Sequence, residues 1–378
     1  MAEPGRLAVD LVVRADAERT TGGDMVQVEE YVRRLDPARF DVRVVPFAPR
    51  MRLRPGSVVH VVNIDRPHDF LAATRAARGH RLIVSPIHHD AGRVLAMRRA
   101  DRDRGMTSVL TRVLPDPVRE WLGTARRAVR AADGPASLAA GVQVALVALA
   151  EIPGVWRRAG RVLDRADLVA LLAEGEGAAL MALSGWHGRN RALVPNGRPD
   201  ADGGAAGLPW ADRPVGSILV VGRIEPRKRQ LEVARAADRL RIPVRFIGPH
   251  TDEGTALSRE FAALAATSPF VLHEGAMPRP DVLARMGASR VLLNASWVEV
   301  QSLVDLEAAL LGCAVVTSGT GHSAEWLGDV VTDVPDGGID ALLRAAAARA
   351  AGDEPPPPVR YDATWDAAAT RLAAAYAG

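Results

Sequence analysis

The feature that most constrains the fold is an alternation of short apolar runs with longer helix-forming stretches along nearly the whole chain. Strand-length apolar runs that alternate with helical stretches are typical of βαβ units and parallel sheets. In the first half of the sequence the predicted strands lie at 6–13, 41–47, 57–63, 81–86, 167–173 and 191–196. In the second half they lie at 217–222, 243–248, 269–275, 290–296, 314–318 and 329–334. The sequence therefore predicts an α/β protein with two Rossmann-like, doubly wound parallel sheets.

A stretch without periodicity separates the two halves. Residues 197–216, "GRPDADGGAAGLPWADRPVG", are rich in the Gly, Pro and Asp residues that mark loops and linkers. This linker predicts an N-terminal domain over residues 1–196 and a C-terminal domain over residues 217–354. In doubly wound sheets, ligands bind beyond the carboxyl ends of the strands. We therefore expect the two domains to face each other across a cleft that holds the ligand.

Residues 355–378 form a separate C-terminal element. The run "PPPP" at 355–358 cannot continue a helix and acts as a stiff spacer. The sequence after it is helix-forming and places Trp365 and Leu372 on one stripe that can be buried. We expect a crossover helix here that packs back on the first domain.

The cysteine content excludes several kinds of site. Cys313 is the single cysteine among 378 residues, which excludes an intramolecular disulfide, a cysteine-cluster metal site and a redox pair. It lies in "LLGCAVVTS", where a small buried hydrophobe is expected. Acids and arginines interrupt the apolar run near the N-terminus, so no signal peptide is expected. These features predict a cytoplasmic protein.

Positive charge is concentrated in one part of the chain. The whole sequence has a net charge of +3, whereas residues 93–165 contain 14 arginines and 7 acidic residues, a net of +7. Within this segment the apolar stretch 137–150 is too short to span a bilayer, which takes about 20 residues. Two interpretations are open: an ordinary helix packed on its domain, or a peripheral contact with anionic lipid at the inner face of the membrane. Nucleic acid is not an expected partner, because the segment lacks interleaved aromatic residues for base stacking.

The segment "VVGRIEPRKRQ" (220–230) contains an unusual residue. The 48 basic residues of the chain are 47 arginines and one lysine, Lys228. Arg223 and Lys228 lie in the turn after a predicted strand, and Pro226 favours a tight entry into a helix from about Gln230. Backbone N–H groups collect where a strand-end loop enters a helix, so two cations there predict an anion site suited to a diphosphate. Lysine supplies a compact point charge that arginine does not, although codon usage alone would also explain a single lysine.

A pair of acidic residues follows in "NASWVEVQSLVDLEAALLG" (294–312). Ser302 and Asp305 have capping-box spacing ahead of an apolar run, and Gly312 supplies the stop, which predicts a helix from about Leu303 to Leu311. Glu299 then lies in the loop before the helix and Glu307 in its second turn. This arrangement suits an elongated ligand, with a sugar at Glu299, phosphate over the amides near Ser302 and Leu303, and ribose at Glu307. Alternatively, the two acids are a loop residue and an exposed helix residue.

Several segments together resemble a known family. They are "TTGGD" (20–24), "VPNG" (194–197), "VVGRIEPRKRQ" (220–230), "FIGP" (246–249), "EGAMPRPDVL" (274–283) and "SWVEVQSLVDLEAALLGCAVV" (296–316). These segments resemble the retaining GT-B glycosyltransferases that carry the E-x7-E signature and use nucleotide-sugar donors. The resemblance covers most of the chain, and its specific motifs lie in the second domain.

The resemblance implies roles for residues of the second domain. Arg223 and Lys228 look like the groups that bind the donor diphosphate. Glu299 looks like the residue that holds sugar hydroxyls, and Glu307 like the acceptor of the ribose hydrogen bond. The other implied donor-binding residues are Pro249, Gln301, Ser302 and Leu303. The family often has E-G-F-G where this chain has "EVQS" at 299–302, so the loop does not identify the donor sugar.

The first domain carries fewer signals. Gly22 and Gly23 follow the first predicted strand, where glycine lets backbone amides approach a phosphate or an acceptor closely, or simply forms a turn. "SPIHHD" (85–90) ends a strand, and in the family a histidine near this place contacts the transferring sugar. His89 rather than His88 is expected to have that role. The sequence "DRD" (101–103) lies in an arginine-rich helical run, where ion pairs are expected, and no metal site is predicted.

The resemblance implies a metal-independent hexosyltransferase of the kind used in polysaccharide biosynthesis. Such an enzyme needs no cofactor and takes its sugar from a UDP- or GDP-sugar co-substrate. Its acceptor would be a glycan, a lipid-linked molecule or a small molecule, and transfer would proceed on one face of the sugar with help from the leaving phosphate. Two alternatives are open: a nucleotide-sugar epimerase of the same architecture, and a catalytically silent partner subunit.

Overall fold

The computed structural model of the chain describes residues 5–17, 22–48, 50–104, 154–198, 207–335 and 338–378, with residues 118, 121, 122, 139, 142, 146 and 149. Most of the basic segment 93–165 and of the predicted apolar helix at 137–150 therefore lies outside the described residues. Contacts within the chain define two units. Unit 1 contains the described residues of Met1–Asp90, Arg104–Gly197 and Ala363–Gly378, and unit 2 those of Ala91–Asp103 and Arg198–Asp362.

The described residues form twelve strands, and each overlaps one of the twelve predicted apolar runs. The strands are β1 Leu7–Val13, β2 Phe40–Pro46, β3 Val58–Val62, β4 Leu82–Ser85, β5 Leu168–Leu171, β6 Arg191–Leu193, β7 Ile218–Val221, β8 Val244–Ile247, β9 Val271–His273, β10 Val291–Asn294, β11 Ala314–Thr317 and β12 Val331–Asp333. The α-helices among these residues are α1 Gly23–Arg34, α2 Pro67–Ala76, α3 Ala91–Arg104, α4 Val155–Leu163, α5 Glu174–Ser184, α6 Gln230–Leu240, α7 Ala256–Thr267, α8 Arg279–Gly287, α9 Leu303–Leu310, α10 Ser323–Leu327, α11 Ile339–Ala351 and α12 Trp365–Ala377.

Unit 1 is built on a parallel sheet with the strand order β2-β1-β3-β4-β5-β6. Every residue of β3 is buried, which is why its sequence is an almost unbroken apolar run rather than an alternating one. Its one polar residue, His60, is held by the Tyr376 hydroxyl at 2.7 Å and by Ser85 Oγ at 2.9 Å. Burial lowers the pKa of His60 to about 3, so this imidazole is a neutral part of the core.

The C-terminal helix α12 packs on unit 1, as the sequence predicts. Its N-cap residue, Thr364, accepts a hydrogen bond from the Ala367 amide at 3.1 Å. Trp365 and Leu372 are buried, with Trp365 packed edge-on against Tyr31 of α1 at a ring distance of 6.1 Å. The predicted buried stripe is therefore confirmed, and α12 contributes to the core of unit 1.

Unit 2 is built on a second parallel sheet, with the order β12-β11-β10-β7-β8-β9. Its core packs Phe246 of β8 edge-on against Phe261 of α7 at 5.2 Å. Cys313 is fully buried, and burial raises the pKa of its thiol to about 11. The thiol is therefore a small core group, as predicted.

Candidate functional site

The strand order of unit 2 places two loops side by side. The chain builds β7, β8 and β9 outward in one direction and then returns to add β10 on the other side of β7. Ligands of doubly wound sheets bind where the strand order reverses, at the carboxyl ends of the strands. We call residues 222–229 the β7 loop and residues 295–302 the β10 loop. These loops contain Arg223, Lys228, Glu299, Gln301 and Ser302.

The β7 loop is held in one shape by a buried glutamine. Gln230, the first residue of α6, is 1 % exposed. Its side-chain amide donates to the carbonyl oxygen of Arg223, and its oxygen accepts from the Glu225 amide at 3.3 Å. Between these residues Pro226–Lys228 forms one 3₁₀ turn, which agrees with the tight entry predicted from Pro226. Arg223 and Lys228 therefore project from a fixed backbone.

The path of the β7 loop requires glycine at position 248, directly after β8. Gly248 has φ +141°, and a Cβ atom there would lie 2.2 Å from the carbonyl oxygen of Gly222. The next residue, Pro249, accepts a hydrogen bond from the Ile224 amide at 2.8 Å. The loop after β8 is thus bound to the β7 loop. This contact places Pro249 beside the residues that were predicted to bind the donor.

The cations of the β7 loop meet a carboxylate of the β10 loop. Lys228 Nζ forms an ion pair with Glu299, and Arg227 Nη1 lies 3.7 Å from the second oxygen of the same carboxylate. The side chains of Lys228 and Glu299 are 16 % and 12 % exposed. The Trp297 amide donates to the carbonyl oxygen of Arg227 at 2.8 Å. Lys228 and Glu299, predicted separately from two motifs, are therefore in direct contact.

Arg223 lies in the same loop but has a different partner. Its guanidinium is 3.4 Å from the carboxylate of Glu225, which also pairs with Arg227 at 3.1 Å. No sequence pattern singled out Glu225 and Arg227. Together with Lys228 and Glu299 they form a charge network in which cations and carboxylates alternate. If an anionic ligand took the place of one carboxylate in this network, each cation would still have a negatively charged partner.

The helix after the β10 loop begins as predicted. Ser302 is the N-cap of α9, and its Oγ accepts from the Asp305 amide at 3.3 Å. Asp305 does not complete a capping box, because its carboxylate accepts instead from Asn294 at 2.8 Å and from Ser323 at 2.7 Å. Burial raises the pKa of Asp305 to about 6, and the nearby carboxylate of Glu299 adds to the increase. A titratable group thus lies directly beneath the predicted donor site.

The second acid of the predicted pair lies on α9. Glu307 occupies the second turn of the helix, and its side chain is 14 % exposed. It forms an ion pair with Arg279, the first residue of α8. Burial raises the pKa of Glu307, although Arg279 opposes the shift. Arg279 was missed from sequence, although it lies in the "EGAMPRPDVL" segment.

Two of the predicted donor-binding residues take part in packing. Gln301 is 9 % exposed, and its amide nitrogen donates to the Tyr361 hydroxyl at 3.0 Å. Burial raises the pKa of Tyr361 to about 12, which keeps this hydroxyl protonated. Leu303 is the first residue of α9 and is half-buried. These contacts fix the β10 loop, and the predicted donor contacts of Gln301 and Leu303 stay predictions.

Gly321 sets how closely a third loop approaches Glu299. A Cβ atom at this glycine would lie 2.8 Å from Cβ of Glu299. The Glu299 amide faces the carbonyl oxygen of Thr320 at 3.5 Å, and the His322 amide donates to Val300 at 2.9 Å. Glu299 is therefore positioned from two sides, by Lys228 and by the loop that follows β11.

In unit 1 the predicted glycines lie at the start of α1. Gly22 is the N-cap of this helix and Gly23 its first residue. Asp24 pairs with Arg14 at 2.7 Å, and Arg14 also pairs with Asp16 at 2.9 Å. Arg14 and Asp16 follow β1, at one side of the point where the strand order of unit 1 reverses between β1 and β3. The glycines thus lie next to an ionic cluster, and their predicted ligand contact stays a prediction.

The two histidines of "SPIHHD" share one carboxylate. Asp65, in the loop after β3, is hydrogen-bonded to His88 Nδ1 at 3.0 Å and also to His89 Nδ1. These contacts hold the pKa of Asp65 well below its usual range despite its burial. The side chain of His88 is 2 % exposed and that of His89 is 17 % exposed. His89 is therefore the more accessible of the two, and its predicted contact with a sugar stays a prediction.

A fourth titratable group lies behind these histidines. Glu176 of α5 is fully buried and accepts from the His88 amide at 2.8 Å and from the Leu172 amide at 2.7 Å. Burial raises its pKa to about 7. Sequence reasoning missed Asp65 and Glu176. Asp65 could have been found from its position directly after a buried strand, whereas no sequence pattern marks Glu176.

Two kinds of feature are absent from the part of the chain that the structure describes. In the described ranges, no group of three or more His, Cys, Asp or Glu side chains is arranged to hold a metal ion. Among the helices described here, none has the length and apolar character needed to cross a membrane.

Comparisons with known proteins identify the fold. No protein-family model matches the chain, and no curated protein matches its sequence. Solved structures do match. Sucrose-phosphate synthase from Thermosynechococcus elongatus is 14% identical over 98% of this chain and 95% of that chain, with a TM-score of 0.55. The UDP-forming α,α-trehalose-phosphate synthase from Burkholderia xenovorans in complex with glucose-6-phosphate is 14% identical over 97% of this chain and 95% of that chain, with a TM-score of 0.54. Anabaena HepE in complex with UDP-glucose is 13% identical over 98% of this chain and 95% of that chain, with a TM-score of 0.55. The chain therefore has the two-domain GT-B fold that its sequence predicted.

Proposed function

We propose that this protein is a retaining glycosyltransferase that moves a hexose-type sugar from a nucleoside diphosphate sugar to an acceptor. The observation that carries the proposal is the contact between Lys228 and Glu299 at the strand-order reversal of unit 2, beside the N-terminus of α9. The fold supports it, because the similar structures include sugar-phosphate synthases and a protein bound to UDP-glucose. The donor is a UDP- or GDP-sugar, used without a cofactor or a metal ion.

The β7 loop would stabilise the leaving group. Negative charge develops on the diphosphate as its bond to the sugar breaks, and fixed positive groups at that position lower the barrier. Arg223 and Lys228 supply charge from a loop that Gln230 holds rigid. The first-turn amides of α9 have no acceptor within the helix and add partial positive charge. Because these groups are in place before the donor arrives, little reorganisation is needed.

Glu299 and Glu307 would divide the rest of the donor between them. Glu299, held by Lys228 and by the loop after β11, accepts hydrogen bonds from sugar hydroxyls and positions the anomeric carbon. Glu307, in the second turn of α9, accepts a hydrogen bond from a ribose hydroxyl. Glu299 acts by positioning, since its carboxylate is bound to a cation. Transfer then proceeds on one face of the sugar with assistance from the leaving phosphate.

Unit 1 would supply the acceptor side of the reaction. His89 is the expected contact of the transferring sugar, and Asp65 fixes the orientation of its ring. Gly22 and Gly23 present backbone amides at the start of α1. The acceptor is a glycan, a lipid-linked molecule or a small molecule, and peripheral contact with anionic membrane is proposed through the basic segment 93–165.

A nucleotide-sugar epimerase is the second candidate function. Such an enzyme needs an acid/base pair rather than an acceptor. Unit 1 contains candidates, because Glu176, with a pKa of about 7, and Asp65 both contact His88. A group whose pKa lies near neutrality can both donate and accept a proton. Glu176 is fully buried, however, whereas an acid/base group must reach the sugar.

A panel of UDP- and GDP-sugars separates these functions. Each donor is incubated with the protein, with and without simple glycosides as acceptors, and the products are followed by NMR. A glycosyltransferase releases the nucleoside diphosphate and forms a glycoside with the donor's anomeric configuration. An epimerase yields a new nucleotide sugar and no free diphosphate. If no donor reacts and none raises the melting temperature, both proposals fail and a catalytically silent subunit remains.

A further inference from the structure

Unit 1 contains a cavity that the proposed donor and acceptor sites do not use. It has a volume of about 450 Å³ and lies between α2 and α4. Five arginines line it: Arg75 and Arg78 at the end of α2, and Arg158, Arg161 and Arg165 on α4 and the turn after it. We call this cavity the arginine groove. Its floor includes the apolar residues Leu71, Leu82 and Val162.

The arginine groove lies at the edge of the sheet opposite to the predicted sugar contact. Gly79, His80 and Leu82 line it and lead into the amino end of β4. His89, by contrast, follows the carboxyl end of β4. Ligands of doubly wound sheets that take part in chemistry bind at the carboxyl ends. The groove is therefore separate from the sugar-handling residues of its own unit.

The arginines of the groove are close enough to repel one another. Burial lowers the pKa of the Arg75 guanidinium, and the charges of Arg78 and Arg158 lower it further. Among the described residues, no carboxylate forms an ion pair with Arg78, Arg161 or Arg165. Two acids near the end of α4 have other partners: Asp164 pairs with His187 at 2.9 Å, and Asp167 accepts from the Leu82 amide at 2.8 Å.

Helix dipoles explain only part of this cluster. Cations near a helix C-terminus are stabilised by the partial negative charge there, which is roughly half an elementary charge for each helix. The carboxyl ends of α2 and α4 thus offset about one of the three positive charges that Arg78, Arg161 and Arg165 carry without an ion pair among the described residues. A net charge of roughly +2 is left, which one phosphoryl group at about −1.5 to −2 would balance.

We propose that the arginine groove is a second anion site of this protein, for a phosphorylated ligand. Guanidinium groups bind phosphate oxygens through paired N–H donors, and several arginines can share one diphosphate. The ligand is either a free phosphorylated molecule or the headgroup of an anionic lipid. The site does not depend on the proposed glycosyl transfer.

The test uses inorganic pyrophosphate as the probe, with binding measured by calorimetry at low ionic strength. Pyrophosphate should also bind the β7 loop, so we expect two sites in the wild-type protein. The double variant Arg75→Ala/Arg78→Ala should weaken one site at least about tenfold, the scale of one lost charge-assisted hydrogen bond. Lys228→Ala should weaken the other site and leave the groove unchanged.

Arg157→Ala is the matched control, because Arg157 lies on α4 but does not line the groove. It removes one positive charge from the same helix and should leave both sites intact. If Arg75→Ala/Arg78→Ala lowers expression or melting temperature, Arg161→Ala/Arg165→Ala tests the same groove from the other helix. Pyrophosphate titrations that are identical for the wild-type protein, Arg157→Ala and both double variants would overturn the proposal.

Vesicles distinguish the two sources of phosphate. Phosphatidylglycerol vesicles that displace pyrophosphate from the groove, and that lose affinity for Arg75→Ala/Arg78→Ala but not for Arg157→Ala, assign the site to lipid headgroups. If pyrophosphate stays bound in the groove when these vesicles are added, the site is assigned to a free phosphorylated ligand. Vesicle binding that Arg157→Ala reduces as much as the double variant does, without a pyrophosphate site, would show only general surface charge and would refute a built site.

Discussion

The β7 loop of unit 2 and the arginine groove of unit 1 are both rich in cations, yet they are organised in opposite ways. In the β7 loop three cations meet carboxylates: Lys228 and Arg227 pair with Glu299, and Arg223 with Glu225. In the groove, by contrast, burial lowers the pKa of Arg75, and the charges of Arg78 and Arg158 lower it further. The loop pairs these cations with acids, whereas Arg78, Arg161 and Arg165 of the groove have no carboxylate partner among the described residues.

This difference indicates two uses of positive charge. Lys228 is fixed by its pairing with Glu299, and Arg223 by the rigid loop behind it, as the proposed stabilisation of a leaving diphosphate requires. The proposed use of the groove is different, because there the positive charge would bind a phosphorylated ligand without taking part in bond breaking. We therefore expect changes in the β7 loop to affect turnover, and changes in the groove to affect binding and stability.

Lys228→Ala should have the largest effect. If Lys228 stabilises the leaving diphosphate, kcat should fall by ~100-fold or more, which is the scale of removing one preorganised electrostatic group. Lys228→Arg should also lose most activity at an unchanged melting temperature, because a planar fork replaces a point donor beside Arg227. Steady-state kinetics and thermal unfolding measure both.

Arg235→Ala is the control for these variants. Arg235 pairs with Glu260 on the surface of unit 2, so kcat should stay at the wild-type value. A Lys228→Arg variant with wild-type kcat would show that a lysine is not required, and the role at the diphosphate would then belong to Arg223.

The two glutamates of the proposed donor site should separate binding from turnover. Glu307→Gln should raise the Kd of the nucleoside diphosphate about ten- to a hundredfold, because a hydrogen bond to a charged group contributes about 1.5–3 kcal/mol. Glu299→Gln should leave this Kd nearly unchanged and lower kcat. Calorimetry with the nucleoside diphosphate gives the first quantity. Equal losses of nucleotide affinity in both variants would contradict the placement of sugar and ribose.

The sequence predicted the structural features that depend on residues close together in the chain. The alternation of apolar runs located the strands, and Ser302 located the start of α9. Arg223, Lys228 and Glu299 were recognised because each follows a predicted strand of one sheet, where carboxyl ends meet. Their convergence in one place needed no knowledge of side-chain packing.

The residues that were missed depend on contacts between distant segments. Asp65, in the loop after β3, and Glu176, in the first turn of α5, meet at His88. Arg279 reaches Glu307 from the preceding helix. The arginine groove combines Arg75 and Arg78, which lie outside the basic segment 93–165, with arginines inside it. No local pattern joins these residues, because helix packing alone brings them together.

A buried carboxylate near the β10 loop should make the stability of unit 2 depend on pH. The pKa of Asp305 is raised from 3.8 to about 6 in the folded protein. Its ionisation therefore costs nothing below about pH 4, and the cost grows as pH rises through 6. Asp305→Asn loses one acceptor at every pH but avoids this cost. Its stability relative to wild type should rise by about 2 kcal/mol between pH 4.5 and pH 7.5.

Urea unfolding at the two pH values measures this difference. The exposed Asp281→Asn substitution in the same unit is the control, and its effect should be the same at both pH values. Parallel pH profiles for the wild-type protein and Asp305→Asn would show that Asp305 ionises in the folded state as easily as in the unfolded state.

The smallest effect tests the contrast between the two charge arrangements directly. At low ionic strength, without phosphate or sulfate, Arg235→Gln removes an exposed ion pair and should destabilise the protein, whereas Arg78→Gln removes repulsion on Arg75 and should stabilise it. Each change should be on the order of a few tenths of a kcal/mol. Both should shrink in 1 M NaCl, where screening acts within about 3 Å. If both substitutions destabilise the protein equally, the arginines of the groove are neutralised by the protein itself and the contrast with the β7 loop does not hold.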